Sequence, residues 1–101
     1  MDVARWQSRL DDVRRAVEQL RDACATDGDA RRASTAAWLE GLFAEVTSAN
    51  ELRQSAQQAL ALYAGGMGSF QDVGSATMAA AVATLRSTLR VALSAHPWDA
   101  S

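Results

Sequence analysis

The chain has 101 residues, of which 49% are hydrophobic and 22% charged, with a formal net charge of −2; this is the size and composition of one globular domain with a modest core, too apolar for a disordered chain. Near-neutral charge leaves no electrostatic footprint for nucleic acid, a single cysteine cannot form an internal disulfide, and a single histidine leaves no metal-ligand cluster. No apolar run approaches the roughly 18 residues of a membrane span and the first residues carry no secretion signal, so the sequence reads as a cytoplasmic protein with no membrane or nucleic-acid partner, no metal and no cofactor.

Val3, Trp6, Leu10, Val13, Val17, Leu20 and Cys24 recur at spacings of three and four, which predicts a first helix over residues 2–25. On its flank, Asp11 with Arg15 and Arg14 with Glu18 are spaced to pair at i,i+4. The apolar stripe suits the chain's own core or, alternatively, a seam for a second copy, that is, a homodimer through the first helix. Cys24 lies on the stripe and reads as a small buried apolar residue rather than a nucleophile.

Gly28 between two aspartates signals a turn, after which Asp29 is placed to cap a second helix over residues 30–47. Ala36, Leu39, Phe43 and Val46 form its stripe, broadened by Trp38 and Leu42, so this helix is expected at the centre of the core. Gly41 inside it costs about 1 kcal/mol relative to Ala, which signals close approach of another helix or a tolerated defect. Ser48 and Glu51 have the spacing of a capping box, in which the hydroxyl accepts from the Glu51 amide and the carboxylate reaches back to the Ser48 amide. They open a third helix over residues 49–63, with Leu52, Ala56, Leu60 and Tyr63 inward and Gly65 as its stop. Ser75 is placed to cap a fourth helix over residues 75–95, carrying Met78, Val82, Leu85, Leu89 and Leu93. His96-Pro97 ends it, leaving 96–101 as a short tail. Four helices with short connections predict an all-α four-helix bundle forming a single domain over 1–101, interrupted by a glycine-rich loop over residues 65–74.

That loop holds Gly65, Gly66, Gly68 and Gly74, four of the six glycines. As a phosphate cradle it fits poorly: a P-loop requires a lysine, of which the chain has none, and the third glycine of a dinucleotide fingerprint falls on Gln71. As a connector it explains the glycines, with Met67 and Phe70 plugging the core, although about ten residues exceed the usual helix-to-helix link. As a recognition surface it offers Met67 and Phe70 edged by Ser69, Gln71 and Asp72. The last two readings are compatible, and the candidate partner-binding residues are Gly65, Gly66, Met67, Gly68, Ser69, Phe70, Gln71 and Asp72. Arg86 and Arg90 share a helix face and could hold a phosphate or carboxylate, although a solvated face explains them as well.

The string LYAGGMGSFQD, Leu62 to Asp72, resembles the signature of an uncharacterised family of small bacterial proteins in which a helix ends in a GGMGSFND-type segment. Leu62, Gly65, Gly66, Met67, Gly68, Ser69, Phe70 and Asp72 match, and Leu85, Arg86 and Leu89 resemble that family's closing helix. Gln71 stands where Asn is usual, and the apolar residues expected after the Asp are reduced to Val73 and Gly74. The resemblance implies a bacterial, cytoplasmic protein with a toxin-neutralising role. All basic residues being Arg, with Lys and Ile absent, agrees with a GC-rich bacterial source. With no reaction centre in sight, the expected function is that of a non-enzymatic protein-binding module, an immunity or antitoxin-like protein that occludes a cognate toxin. A small-ligand or nucleotide-binding regulator and a self-associating helical module stand as alternatives.

Overall fold

The computed structural model describes residues 5–64 and 75–93, with side chains over 6–62 and 75–93. Four helices follow in order: α1 Arg5–Asp27, α2 Ala30–Ala44, α3 Ala49–Leu60 and α4 Ala76–Ala92. One 3₁₀ turn, Ala61–Ala64, extends α3. Among the described residues there is no strand, and the chain is the all-α four-helix bundle that its periodicity predicts.

Local chemistry sets each helix end. At the α1–α2 junction Gly28 adopts φ +66°, its amide reaches Ala25 O at 3.4 Å, and the Asp29 amide reaches Cys24 O at 3.0 Å. This pair of bonds is the Schellman closure, which needs a left-handed residue at the position Gly28 holds. Asp29 then caps α2 as predicted, its Oδ1 accepting from the Arg32 amide at 2.9 Å. Ser48 caps α3, its Oγ accepting from the Glu51 amide at 3.1 Å. The return half of the capping box is displaced by one residue, since Glu51 Oε1 accepts from the amide and hydroxyl of Thr47, at 2.9 and 2.5 Å.

The described helix ends depart from expectation by one turn or less, and the expected start of the first helix at residue 2 lies outside the described residues. Helix α1 continues to Asp27 because Gly28 is the first residue able to close it. Helix α2 stops at Ala44 rather than residue 47, and Val46 is buried from the turn that follows. Its apolar side chain continued the helical spacing while its backbone did not.

The core is one cluster. Leu10, Val13, Val17, Leu20 and Cys24 of α1 meet Ala36, Leu39 and Phe43 of α2, Leu52, Ala56 and Ala59 of α3, and Met78, Ala81, Leu85 and Leu89 of α4. Each fully buried Leu, Met or Phe contributes about 1.5–3 kcal/mol through apolar area removed from water. Helix α1 packs along both α4 and α2, and α3 packs along α4, while α2 and α3 touch only sparingly. The central helix is therefore α1, not α2 as the bulk of Trp38 and Phe43 suggested, and Trp38 faces outward. The stripe offered as a seam for a second copy is consumed within the chain, with Val13 and Leu20 fully buried.

Two charged contacts lace α1 to α2 in antiparallel register. Arg14 donates to Phe43 O at 2.9 Å, placing a cation over the last carbonyls of α2, where the helix dipole favours it. Arg21 meets Glu40 at 2.5 Å. The expected i,i+4 pairs on α1 are not the ones formed: Arg15 pairs with Asp12 at 2.6 Å, and Arg14 turns to α2, where a carbonyl array outweighs an exposed carboxylate. A Cβ at Gly41 would meet nothing within 4 Å; among the described residues no other helix approaches there, and the glycine stands as an exposed interior defect of α2.

Candidate functional site

The residues predicted to bind a partner, Gly65, Gly66, Met67, Gly68, Ser69, Phe70, Gln71 and Asp72, lie outside the described residues. The structure does define where their segment leaves the bundle and where it rejoins. It leaves after the 3₁₀ turn Ala61–Ala64, in which Leu62 is half-buried against the core. It rejoins at Ser75, whose Oγ accepts from the Met78 amide at 3.0 Å and whose hydroxyl donates to Asp27 Oδ2 at 2.6 Å. Asp27 is the last residue of α1, where the helix dipole disfavours a carboxylate. Its bond to Ser75 turns that charge to the N-terminal end of α4, where the dipole favours it. The ends of α1 and α3 and the start of α4 thus gather at one pole of the bundle, together with the start of α2.

Beside the point of departure, on the side where α2 and α3 barely touch, Ser34, Thr35, Trp38 and Leu62 line a groove of about 280 Å³. Trp38 is 46% exposed there, a large indole left in water. The Ser34 and Thr35 hydroxyls donate back to Ala30 O and Arg31 O, at 3.3 and 3.4 Å. A second groove, about 390 Å³, runs between α1 and α2 over Val17, Leu39 and Phe43, rimmed by Arg14, Glu18 and Glu40. Arg14 and Glu40 already have partners across it, and its floor is the core itself.

Among the described residues three groups have shifted proton affinities, and each shift follows from contacts within the fold. Burial, with the charges of Asp29 and Asp27 adding to it, pushes the Cys24 thiol up, which keeps it protonated and a poor nucleophile. The Arg32 amide, then its guanidinium, hold the Asp29 carboxyl below the ordinary carboxylate range. The Thr47 hydroxyl and amide do the same for Glu51. Among the described residues no group of three or more His, Cys, Asp or Glu could hold a metal ion, and no helix is long and apolar enough to cross a membrane. His96 lies outside the described residues.

Arg86 and Arg90 are exposed on α4. At about 1.5 Å per residue they stand about 16 and 22 Å along the helix from Ser75, toward the opposite pole, so the helix does not carry them to the end where the glycine segment is anchored.

Residues 32–83 match the family model described as a domain of unknown function, DUF6966. That match covers half of the chain. The chain belongs to the DUF6966 family. The DUF6966 region runs from the first turn of α2 through α3 into α4, so it contains Trp38, Leu62 and the glycine segment, while α1 lies outside it. No curated protein and no solved structure matches the chain.

Sequence reasoning took Trp38 for a broadening of the core face and so missed it as a surface residue. The available signal was its seven-residue spacing from Arg31 and from Glu45, which places the indole on the same side of α2 as two charges.

Proposed function

We propose that this DUF6966 chain is a non-enzymatic protein-binding module, a bacterial cytoplasmic immunity or antitoxin-like protein that covers a cognate toxin. The observation that carries the reading is Trp38, half-exposed beside Leu62 in a groove three residues upstream of Gly65 along the chain. Tryptophan in a partly formed apolar pocket with hydrogen-bonding edges is the side chain that most often dominates protein association. The Trp38–Leu62 groove and the segment Gly65–Asp72 together make the contact surface, with the groove carried on the four-helix core. The C-cap of α3 at Ala61 and the N-cap of α4 at Ser75 hold the described chain on either side of the segment.

The test is growth rescue. The protein encoded beside this gene is expressed in a heterologous bacterium, where it should arrest growth, and co-expression of the chain should restore it. Trp38→Asp and Gly68→Val should each abolish rescue while leaving the far-UV circular dichroism spectrum unchanged. Rescue that survives both substitutions, or a neighbour that leaves growth unaffected, refutes the reading. Saturable binding of a nucleotide in calorimetry, lost in Gly68→Val, would support the small-ligand alternative in its place.

A further inference from the structure

The outward face of α2 carries a charge arrangement around Trp38 of which the toxin-binding reading uses only the indole and Ser34. Arg31, Trp38 and Glu45 follow one another at intervals of seven, with Ser34 and Gly41 between them. This is an a/d pattern pointing to water: Arg31, Ser34, Trp38, Gly41 and Glu45 are all exposed. Neither Arg31 nor Glu45 makes a side-chain hydrogen bond or ion pair among the described residues, whereas the neighbouring Arg32 is taken by Asp29 at 2.7 Å and Glu40 by Arg21.

Both charges also sit at the wrong ends of their helix. Arg31 lies in the first turn of α2, where the dipole is positive, and Glu45 is its C-terminal cap residue, where the dipole is negative. Each is destabilised by its own helix. Gly41 adds a third local fault, an interior helical glycine with open space where a Cβ would stand. Among the described residues only the nearby Asp29 carboxylate partly offsets the charge of Arg31, and the three lie on one face around one exposed indole.

We propose that a second copy of this chain covers this face, in a two-fold symmetric pair with the α2 helices antiparallel. Trp38 is equidistant in sequence from Arg31 and Glu45, so a dyad passing near it brings Arg31 of each copy against Glu45 of the other, twice over. Each charge then meets the favourable end of the opposing helix dipole as well as an opposite charge. The two indoles stack side by side at the dyad, and Gly41, with Ala37 and Ala44 beside it, lets the helices approach closely enough for that contact. The pair is distinct from the first-helix seam, whose apolar stripe is buried. Because Trp38 serves both this pair and the groove beside Leu62, self-association and capture of another protein exclude each other. The inference does not rest on the toxin-binding reading.

One helix face of about four turns is a small interface, so the pair is expected to dissociate in the micromolar range rather than the nanomolar. Sedimentation equilibrium over about 1–300 µM, a range spanning that expectation, tests the proposal with five proteins: wild type, Trp38→Ala, Arg31→Glu, Glu45→Arg and the double reversal Arg31→Glu/Glu45→Arg. Wild type should show reversible dimerisation, and either single reversal or Trp38→Ala should weaken it by about tenfold or more. The double reversal should restore it to within about threefold of wild type, because the same opposite-charge pairs re-form with their order exchanged. All the substituted positions are exposed, and unchanged circular dichroism confirms that the monomers stay folded. A wild type that remains monomeric throughout, or a dimer indifferent to the single reversals, overturns the proposal. Growth rescue by either single reversal, which loses the dimer, separates the two readings, since only the dimer depends on Arg31 and Glu45.

Discussion

The two described glycines of known surroundings make opposite demands, and replacing each by alanine turns that into a measurable pair. At both positions a Cβ would meet nothing within 4 Å, so steric crowding decides neither case and backbone conformation alone sets the sign. Gly41 lies inside α2 with ordinary helical φ. Gly41→Ala there should stabilise the fold by about 0.8–1 kcal/mol, the full difference in helix propensity. Gly28 holds φ +66°, where a Cβ approaches the following carbonyl at a cost of about 1–2 kcal/mol. The lower entropy of the unfolded chain offsets about 0.4–1 kcal/mol of that. Gly28→Ala should therefore destabilise by up to about 1.5 kcal/mol, with the Schellman bonds to Cys24 and Ala25 strained.

For a chain of this length 1 kcal/mol moves Tm by about 4–8 °C, so the variants should melt on either side of wild type, several degrees apart. Thermal unfolding followed at 222 nm, at a few micromolar so that self-association does not contribute, reads both. If Gly41→Ala fails to raise Tm, the glycine is there for a contact within the chain, and the description of α2 as open at that point is wrong. If Gly28→Ala is neutral, the left-handed closure of α1 is not what ends the helix.

Ser75→Ala removes both the cap of α4 and the bond to Asp27, and should lower stability by about 1–2 kcal/mol in urea titration; Asp27→Asn should cost less, because the amide oxygen still accepts from Ser75. Asp29 and Glu51 have folded pKa values below their ordinary ones, so their contribution is present at neutral pH and down to about pH 4. It is lost as the pH falls further, through the folded values. Asp29→Ala should flatten this acid limb of the stability curve relative to wild type, and a parallel limb in the variant would contradict the capping geometry. Leu39→Ala, at a fully buried site facing α1, should cost about 2–5 kcal/mol and leave a chain this small near its unfolding threshold at 37 °C, which circular dichroism would show directly. Cys24 should resist alkylation by iodoacetamide in the folded chain and react once it is unfolded in urea; fast reaction of the native protein would refute its burial.

The helices were legible because their signals are local. Spacings of three and four apolar residues repeat over each segment, and the caps Asp29, Ser48 and Ser75 bond to amides three residues on, which needs no knowledge of the rest of the chain. The family match runs across the glycine segment, which lies outside the described residues. The misreadings concern what surrounds a helix. Trp38 and Leu42 lie next to the apolar stripe of α2, and only the arrangement of neighbours decides that Leu42 packs against the core while Trp38 faces water. Arg14 had a carboxylate in reach on its own helix and took the carbonyl of Phe43 instead, a choice that exists only once α2 lies antiparallel to α1.

By itself, then, the sequence determined four amphipathic helices and the N-caps of α2, α3 and α4, since hydrogen bonds within a turn and periodic burial act over a few residues. Tertiary structure decided which helix is central, that the α2–α3 side stays loosely packed, and which aromatic is left exposed. Those outcomes depend on how four apolar stripes of unequal width share one core, a quantity set by all of them jointly.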